Sequence, residues 1–518
     1  MTVLLQFRHL WTKGSLKLES LLDIPISELA DRVVKGAVSA ETVARESLAA
    51  IAALSSLNAF VHISTDAVLE SARAIDHKRL RGERLGRLAG VPIGIKDAIC
   101  TIDAPTTCGS RILQQGGKSV ARGWQAPFDA TVVERLRQED ALVIGKTNMD
   151  EFAMGSSTET SAYGPTLNPW DRTRIPGGSS GGSAVAVAAR MTPVSLGSDT
   201  GGSIRQPAGL CGVVGVRPSY GRVSRYGLVA FGSSLEQIGP FANDVRSAAR
   251  VLNVIAGRDD HDSTTAVRPI PDYESACRRN VVGLKLGIPE EYFGDGLDSE
   301  VESSVRDAIA ALRDAGCEIK NIRLPHTPYG VATYYIVATA EASSNLARFD
   351  GVRFGLRIEP PGADLQELYG ATRDAGFGPE AKRRILLGTY VLSAGYYEAY
   401  YKKAQQVRTL IREDFERAFK VVDAIVAPIS PTPPFVLGQH VNDPLAMYLS
   451  DIYTLPCNLA GLCGISVPAR PTGRRSDRPS LPVGLQILGC PFNEDTLFAL
   501  AATWENLCGG FPAPKTNP

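Results

Sequence analysis

The sequence predicts an α/β protein that forms one large domain, with a mixed central β-sheet flanked by helices. Short β-branched and apolar runs alternate with longer segments along most of the 518 residues, which is typical of strands separated by helices. The 50 glycines and 33 prolines are spread along the chain, which indicates many tight turns. The length would allow about three domains at ~150 residues each. Because no Pro/Ser-rich linker or repeat divides the chain, we expect a single domain.

The extreme N-terminus, residues 1–20, has the composition of a targeting leader. It contains three basic residues, Arg8, Lys13 and Lys17, and no acid before Glu19. Four apolar residues would share one helical face: Val3, Phe7, Leu10 and Trp11. Basic, amphipathic, acid-free segments are typical of mitochondrial transit peptides. We therefore expect a leader and a location in the mitochondrial matrix. A frayed N-terminus, with a location in the cytoplasm, is the alternative.

A helix and a series of strands are predicted after this segment. Ser39 is a suitable N-cap for a helix with a small-to-apolar stripe formed by Val43, Ser47, Ile51 and Leu54. Strands are predicted from eight apolar runs: residues 91–95, 141–144, 194–197, 213–216, 284–288, 425–428, 465–467 and 483–488.

The region from about residue 328 to 420 has a different pattern. It contains few β-branched runs and ends in a tyrosine-rich amphipathic stretch, residues 396–419. The sequence therefore predicts a mainly helical insertion within a single domain that spans residues 21–518.

Composition excludes several classes of function. The 55 basic and 55 acidic residues balance, so the chain lacks the basic surface that non-specific nucleic-acid binding requires. The nine cysteines are scattered without a Cys-x-x-Cys pair, which argues against a zinc site or a disulfide framework and favours a reducing compartment. No stretch approaches the ~20 apolar residues of a membrane span.

The densest chemical signal lies between residues 176 and 205. Two Gly-Gly-Ser turns, ending at Ser179 and Ser203, stand 24 residues apart. Glycine permits positive φ and a close approach of the backbone, so each turn can present a hydroxyl beside several exposed N–H groups. Such an arrangement suits the stabilisation of an oxyanion.

Three conventional interpretations of these turns are weaker. Residues 177–181 match the Gly-x-Ser-x-Gly elbow of α/β-hydrolases, but that fold also needs an acid and a histidine downstream. The downstream histidines, His261, His326 and His440, do not lie in motif-like settings. A phosphate-binding P-loop fails because neither turn continues into Gly-Lys-Ser/Thr. A purely structural turn would explain either motif alone more easily than both together.

Lys96 is the best candidate for the general base if no histidine accepts the serine proton. It ends an apolar run, residues 90–96. Burial there would disfavour the ammonium form and lower the pKa of the lysine, and a neutral lysine can act as a base. A lysine that extends from the strand end into solvent is the alternative. The presence of the two serine turns favours the interpretation of Lys96 as the base.

These residues resemble the amidase signature family, whose members use a Ser-Ser-Lys triad. The resemblance implies that Ser203 is the nucleophile, Ser179 the bridging serine beside a cis peptide bond, and Lys96 the base. It also implies an oxyanion hole formed by the N–H groups of Thr200, Gly201 and Gly202. Asp199 and Arg205 flank the nucleophile and are expected to order the loop rather than to react.

The resemblance extends over residues 26–511 and is most specific outside the serine turns. Four segments carry it: residues 221–230, 341–353, 382–390 and 395–405. They are similar to the branch of the family formed by the glutaminase subunits of tRNA-dependent amidotransferases. The resemblance therefore implies that glutamine is the substrate.

By the same resemblance, Asp451 would bind the α-amino group of glutamine and Arg384 its α-carboxylate. The chemistry supports this pairing, because one anion and one bidentate cation can fix both charged groups of an amino acid. Surface salt bridges are the alternative for each residue, and the adjacent Arg383 competes with Arg384 for the role. Tyr334 or Tyr335 is expected to line the same pocket.

The resemblance also implies partners. Ammonia would pass to a B-type subunit that activates Glu-tRNA(Gln) with ATP and magnesium, and a small third subunit would complete a heterotrimer. The chain itself is expected to hold no cofactor and no metal, and to meet the tRNA mainly through its partner. The alternative activity is a free-standing amidase for small or fatty amides. A non-catalytic scaffold is disfavoured because the triad residues are retained.

Overall fold

The protein is described as a computed structural model over residues 20–114, 123–469 and 481–515. The predicted leader lies outside these residues except for Ser20. The described residues form one 11-stranded β-sheet with α-helices packed around it. The predicted α/β class, a single domain with a mixed sheet, is confirmed.

Eleven strands form the sheet: β1 (Phe60–Ile63), β2 (Pro92–Lys96), β3 (Leu142–Thr147), β4 (Val194–Asp199), β5 (Val214–Arg217), β6 (Gln237–Ala242), β7 (Lys285–Pro289), β8 (Glu318–Ile322), β9 (Ala424–Pro428), β10 (Cys463–Pro468) and β11 (Gly484–Gly489). Their order is β1-β3-β2-β4-β6-β5-β10-β11-β9-β7-β8. Strand β2 is parallel to β3 and β4, and β7 is parallel to β8 and β9, whereas the other neighbours are antiparallel. All eight predicted strands are present, and β1, β6 and β8 were not predicted.

The helices of the described residues are α1 (Ile26–Val34), α2 (Ala40–Ala53), α3 (Thr65–Leu80), α4 (Thr131–Gln138), α5 (Gly181–Ala188), α6 (Arg205–Cys211), α7 (Val245–Ile255), α8 (Tyr273–Ala276), α9 (Ser299–Asp314), α10 (Gly330–Leu346), α11 (Leu365–Gly376), α12 (Pro379–Leu392), α13 (Lys403–Ala418), α14 (Pro444–Leu449), α15 (Leu455–Ala460) and α16 (Glu494–Cys508). Helix α2 begins after Ser39, whose hydroxyl accepts a hydrogen bond from the Thr42 N–H at 3.0 Å, as predicted. In the ranges described, no helix has the length and apolarity needed to cross a bilayer.

Two apolar cores flank the sheet. In one, Leu252 of α7 and Trp504 of α16 pack with buried strand residues. In the other, Val337 of α10 and Phe415 of α13 are fully or almost fully buried. Helices α10 to α13 and the π-helical segment Tyr397–Lys402 occupy the interval between β8 and β9, where the sequence predicted mainly helices. Tyr334 of α10 and Arg384 of α12, both candidate site residues, belong to this helical layer.

Candidate active site

Two neighbouring strands bring the predicted residues together. Lys96 is the last residue of β2, and Asp199 is the last residue of β4. These strands pair in parallel, and the carboxyl ends of parallel neighbours face the same edge of a sheet, where α/β proteins commonly bind ligands. Helices α5 and α6 begin directly after the two serine turns, at Gly181 and Arg205. Each turn is therefore anchored by a buried helix.

Lys96 lies in the interior, with an exposed fraction of 0%. Its Nζ atom lies 2.7 Å from Ser179 Oγ, 2.8 Å from Ser180 Oγ and 3.3 Å from the carbonyl oxygen of Ser198. Burial lowers the pKa of Lys96 to about 7, although the nearby carboxylates of Asp150 and Asp199 oppose the shift. A substantial fraction of Lys96 is therefore neutral near pH 7 and can accept a proton.

The two serine turns are joined through their backbones. The N–H of Ser180 donates to the carbonyl oxygen of Ser203 over 3.3 Å. The Gly178–Ser179 peptide bond is cis, the geometry that the resemblance implied. Ser203 is 7% exposed, whereas Ser179 and Lys96 are fully buried. The structure therefore gathers the three predicted residues at one place and puts Ser203 nearest to solvent.

Asp199 holds the loop that carries Ser203. Its carboxylate accepts a hydrogen bond from the Gly202 N–H at 2.9 Å and forms buried ion pairs with Arg205 at 3.1 Å and Arg217 at 3.5 Å. Burial by itself would raise the pKa of Asp199, but the two arginines outweigh it and hold that pKa well below its usual range. Asp199 and Arg205 thus order the loop, as the sequence indicated.

The three N–H groups expected to form the oxyanion hole are not equivalent. The Gly202 N–H already donates to Asp199, whereas in the described part of the chain no acceptor engages the N–H of Thr200 or Gly201. Glycine is required at both residue 201 and residue 202. A Cβ at residue 201 would lie 2.8 Å from the Tyr334 hydroxyl, and Gly202 has a φ of +129°. The loop is therefore shaped by close backbone approach.

Arg384 is buried among aromatic rings. It is 3% exposed, and its guanidinium carbon lies 5.1 Å from the centre of the Tyr335 ring and 5.5 Å from that of Tyr448. Its Nε donates to Glu380 at 2.8 Å. The competing residue, Arg383, has a 44% exposed side chain and also pairs with Glu380. The geometry therefore favours Arg384 as the buried cation of the site.

Asp451 supplies a carboxylate with little solvation. It is 7% exposed and accepts a hydrogen bond from the Ser156 hydroxyl. Burial raises the pKa of Asp451 to about 7, while Ser156 and the positive charge of Arg384 oppose the shift. A bound ammonium group would favour the charged form. Asp451 is thus suited to an amine that arrives with its own positive charge.

The two candidate tyrosines occupy different positions. The Tyr334 hydroxyl lies against Gly201 of the nucleophile loop. Tyr335 stacks on Tyr448 with a ring separation of 3.8 Å and forms part of the aromatic surround of Arg384. Tyr334 therefore contacts the loop that carries the nucleophile, and Tyr335 contacts the cation of Arg384.

A cavity of about 290 Å³ adjoins this cluster. Ser156, Ser157, Arg384 and Tyr448 are among its walls, but Lys96 and the two serines of the triad are not. One of its lining residues, Ser157, packs against the triad's turn, because a Cβ on Gly178 would lie 2.7 Å from the Ser157 nitrogen. The cavity therefore has a charged polar wall next to the turn that holds Ser179.

Four site residues were not identified from the sequence: Ser156, Ser180, Glu380 and Tyr448. Ser180 follows Ser179 directly, and Glu380 stands four residues before Arg384 on one helix, so local signals for both were present. Ser156 and Tyr448 reach the site only through tertiary structure. Of the three downstream histidines, His261 pairs with Asp259 and His326 with Asp414. His440 lines the cavity, and its ring packs against Phe435 at 4.6 Å.

Comparisons with known proteins identify the family. The profile of the Amidase family matches residues 42–498. The A-type subunit of the glutamyl-tRNA(Gln) amidotransferase from Chloroflexus aurantiacus is 56% identical over 451 residues, which cover 87% of this chain and 89% of that protein. The protein of the same name from Moorella thermoacetica is 54% identical over 479 residues, 92% of this chain and 95% of that one.

Solved structures show the same fold. The A-type subunit of the Thermotoga maritima glutamyl-tRNA(Gln) amidotransferase superposes with a TM-score of 0.77 at 39% identity, covering 98% of this chain and 100% of that chain. A peptide amidase from Stenotrophomonas maltophilia also has a TM-score of 0.77, but at 28% identity, covering 96% and 99%. The fold is therefore common to several amide-cleaving enzymes, and the higher identities lie with the amidotransferase subunits.

Proposed function

The chain belongs to the amidase signature family, and on that premise we propose that it is the glutamine-hydrolysing subunit of a glutamyl-tRNA(Gln) amidotransferase. Identities of 51–56% with A-type subunits of that enzyme support this activity over that of a free-standing amidase. One structural observation carries the choice of substrate: Arg384 and Asp451, groups of opposite charge, are both buried, and Asp451 bonds to Ser156, whose backbone packs against Gly178 of the Ser179 turn. An apolar amide has no charged groups to bind such a pair, whereas an amino acid has an ammonium group and a carboxylate that match it.

The reaction begins with proton transfer from Ser203 to Lys96 through Ser179. Neutral Lys96 takes the Ser179 proton as Ser179 takes the proton of Ser203, whose Oγ attacks the side-chain carboxamide carbon of glutamine. The N–H groups of Thr200 and Gly201 face the developing oxyanion, and one such donor is commonly worth ~3 kcal/mol. The tetrahedral intermediate then expels the amino group, which takes back the proton and leaves as ammonia.

Water completes the cycle. The ester between Ser203 and the glutamyl group is attacked by a water molecule, which gives its proton to the same base, and the collapse releases glutamate and returns the proton to Ser203. Throughout, Arg384 would hold the α-carboxylate through its Nη atoms and Asp451 would hold the α-ammonium group. Two fixed charges thus place the side-chain amide at Ser203.

The proposed partners are those that the family resemblance implies. Ammonia is consumed by a B-type subunit that activates Glu-tRNA(Gln) with ATP and magnesium, and a small third subunit joins both in a heterotrimer. We assign no cofactor and no metal to this chain, and we place the tRNA mainly on the partner. The subunit names of the relatives support a multi-subunit assembly.

The mitochondrial matrix is the proposed location, with the cytoplasm as the alternative. Only the composition of residues 1–20 supports the matrix, and the relatives named above are bacterial. Fusion of residues 1–20 to a reporter, followed by incubation with isolated mitochondria, tests the proposal. Protease-protected, shortened reporter supports it, and a reporter that stays outside contradicts it.

Ammonia release from glutamine tests the activity. The purified chain is assayed alone and with its B-type partner, Glu-tRNA(Gln) and ATP, as wild type, Ser203→Ala and the control Ser303→Ala. Ser303 is an exposed residue of α9, so its variant should behave as wild type. We expect ammonia release coupled to Gln-tRNA formation and lost in Ser203→Ala. Inert glutamine together with hydrolysis of small or acyl amides would contradict the proposal.

A further inference from the structure

Glu380 is the second residue of α12 and connects three other side chains. Its Oε1 accepts hydrogen bonds from Arg384 Nε at 2.8 Å and from the Tyr448 hydroxyl at 2.9 Å. Its Oε2 accepts from an Nη atom of Arg383. The Glu380 side chain is only 14% exposed. Because it is little solvated and accepts from three donors, the Glu380 carboxylate is held in one position.

These contacts leave one edge of Arg384 available. Among the described residues, the Arg384 guanidinium forms a single hydrogen bond, from Nε, and neither Nη atom has a protein acceptor. The rings of Tyr335, Tyr448 and Phe231 surround its faces at 5.1, 5.5 and 5.8 Å. Arg384 also lines the cavity. Its two Nη atoms are therefore the groups left for a planar anion, which they can bind in a bidentate manner.

We propose that Glu380 is a positioning residue that determines specificity for the substrate carboxylate, because it holds Arg384 by Nε and so presents both Nη atoms to the cavity. This inference rests on the proposed glutaminase function. In this proposal Glu380 acts through Arg384, and the Tyr448 hydroxyl also donates to its Oε1. Its charge has a second effect. It neutralises one of the two arginines, so that a single net positive charge faces the α-carboxylate.

Loss of this carboxylate would leave the Arg384 guanidinium buried without its acid partner and without the hydrogen bond that fixes its Nε. Unpaired buried charges are costly, so Arg384 would shift and would no longer present its Nη atoms to the cavity. Binding of glutamine through its α-carboxylate would weaken, while the Lys96–Ser179 contact, which involves neither Glu380 nor Arg384, would stay intact.

The test compares Glu380→Gln with the control Glu398→Gln in the assembled complex. Glu398 pairs with Lys402 on the surface, where its side chain is 67% exposed. Two substrates are used: glutamine, and 4-aminobutanamide, which keeps the amine and the amide but lacks the α-carboxylate. Ammonia release gives kcat and KM, and thermal unfolding shows that each variant is folded.

For Glu380→Gln we expect the KM for glutamine to rise about tenfold or more, since small displacements of a positioning group can cost up to about 100-fold. The kcat for glutamine and the kcat/KM for 4-aminobutanamide should stay within about threefold of wild type, as should every value for Glu398→Gln. An unchanged KM, or an equal loss with both substrates, would overturn the role of Glu380. A wild-type complex that does not hydrolyse glutamine would overturn the proposed function, and this inference with it.

Discussion

The Nζ atom of Lys96 lies 2.7 Å from the Oγ of Ser179 in a site from which solvent is excluded. Two further acceptors, Ser180 Oγ and the Ser198 carbonyl oxygen, complete its surroundings. A neutral amine has two N–H bonds and one lone pair. If Ser180 and Ser198 accept the two N–H bonds, the lone pair is directed at Ser179. This arrangement explains how a lysine can replace histidine as the base.

Ser180→Ala should lower kcat about 10- to 100-fold with little change in KM, because Lys96 loses one of the two acceptors that orient its lone pair, and a positioned general base commonly contributes 10²–10⁴-fold. Steady-state ammonia release measures both constants. Ser183→Ala is the matched control, since Ser183 is also buried on α5 but bonds to Thr147 and to the Leu196 carbonyl. Equal losses in the two variants would contradict the account.

The pH dependence of kcat/KM should show two ionisations near pH 7. Burial lowers the pKa of Lys96 to about 7 and raises that of Asp451 to about 7. Lys96 must be neutral to act as a base, and Asp451 must be charged to hold an ammonium group, so acid inactivates both. Below pH 7, log kcat/KM for glutamine should fall by about two per pH unit.

An amide that lacks the α-amino group provides the control for this profile. Its hydrolysis needs only Lys96 in the neutral form, so its log kcat/KM should fall by about one per pH unit. Asp451→Asn should give the same shallower profile with glutamine. Identical slopes for the two substrates in the wild type would show that Asp451 does not titrate with substrate binding.

Arg384→Lys should raise the KM for glutamine about 10- to 100-fold, because an ammonium group can neither bind a carboxylate in a bidentate manner nor fill the aromatic surround as a planar guanidinium does. Arg383→Lys is the matched control: its side chain is 44% exposed, and we expect a change within about twofold. Glutamine kinetics on both variants decide between the neighbours. A larger effect at Arg383 would reverse the assignment.

Asp199→Asn should destabilise the protein by about 3–5 kcal/mol, since Arg205 and Arg217 would remain buried without their counter-charge. The free energy of unfolding in urea, followed by circular dichroism, measures this loss. Asp314→Asn removes a surface pair with Arg313, in which the Asp314 side chain is 70% exposed, and should cost less than about 1 kcal/mol. Similar values for both variants would show that the Asp199 network does not stabilise the fold.

Strands could be predicted from the sequence where they are apolar and continuous. The three that were missed have identifiable reasons. Strand β6 lies in the middle of the sheet but contains Gly239 and Pro240, residues that normally argue against a central strand. Strand β8 lies at one edge and carries Glu318 and Lys320. Strand β1 lies at the other edge, is four residues long and is only partly buried.

The reactive residues were easier to predict than their supports. Two glycine-rich turns and a lysine at a strand end are local patterns, and they indicated Ser179, Ser203 and Lys96. The choice between Arg383 and Arg384 needed the structure, since both line the cavity but Arg384 is 3% exposed whereas the Arg383 side chain is 44% exposed. Tyr448 reaches Glu380 across 68 positions, a contact that no local pattern contains.

Covalent labelling of Ser203 tests the central claim most directly. A glutamine analogue with an electrophilic carbonyl group in place of the side-chain amide is incubated with the wild type and with Ser203→Ala, and the modified peptide is identified by mass spectrometry. Burial raises the pKa of Cys211 and Cys457, so these thiols should not react. We expect a label on Ser203 in the wild type, protection by glutamine, and no label in Ser203→Ala. A label on a cysteine, or one that persists in Ser203→Ala, would contradict Ser203 as the nucleophile.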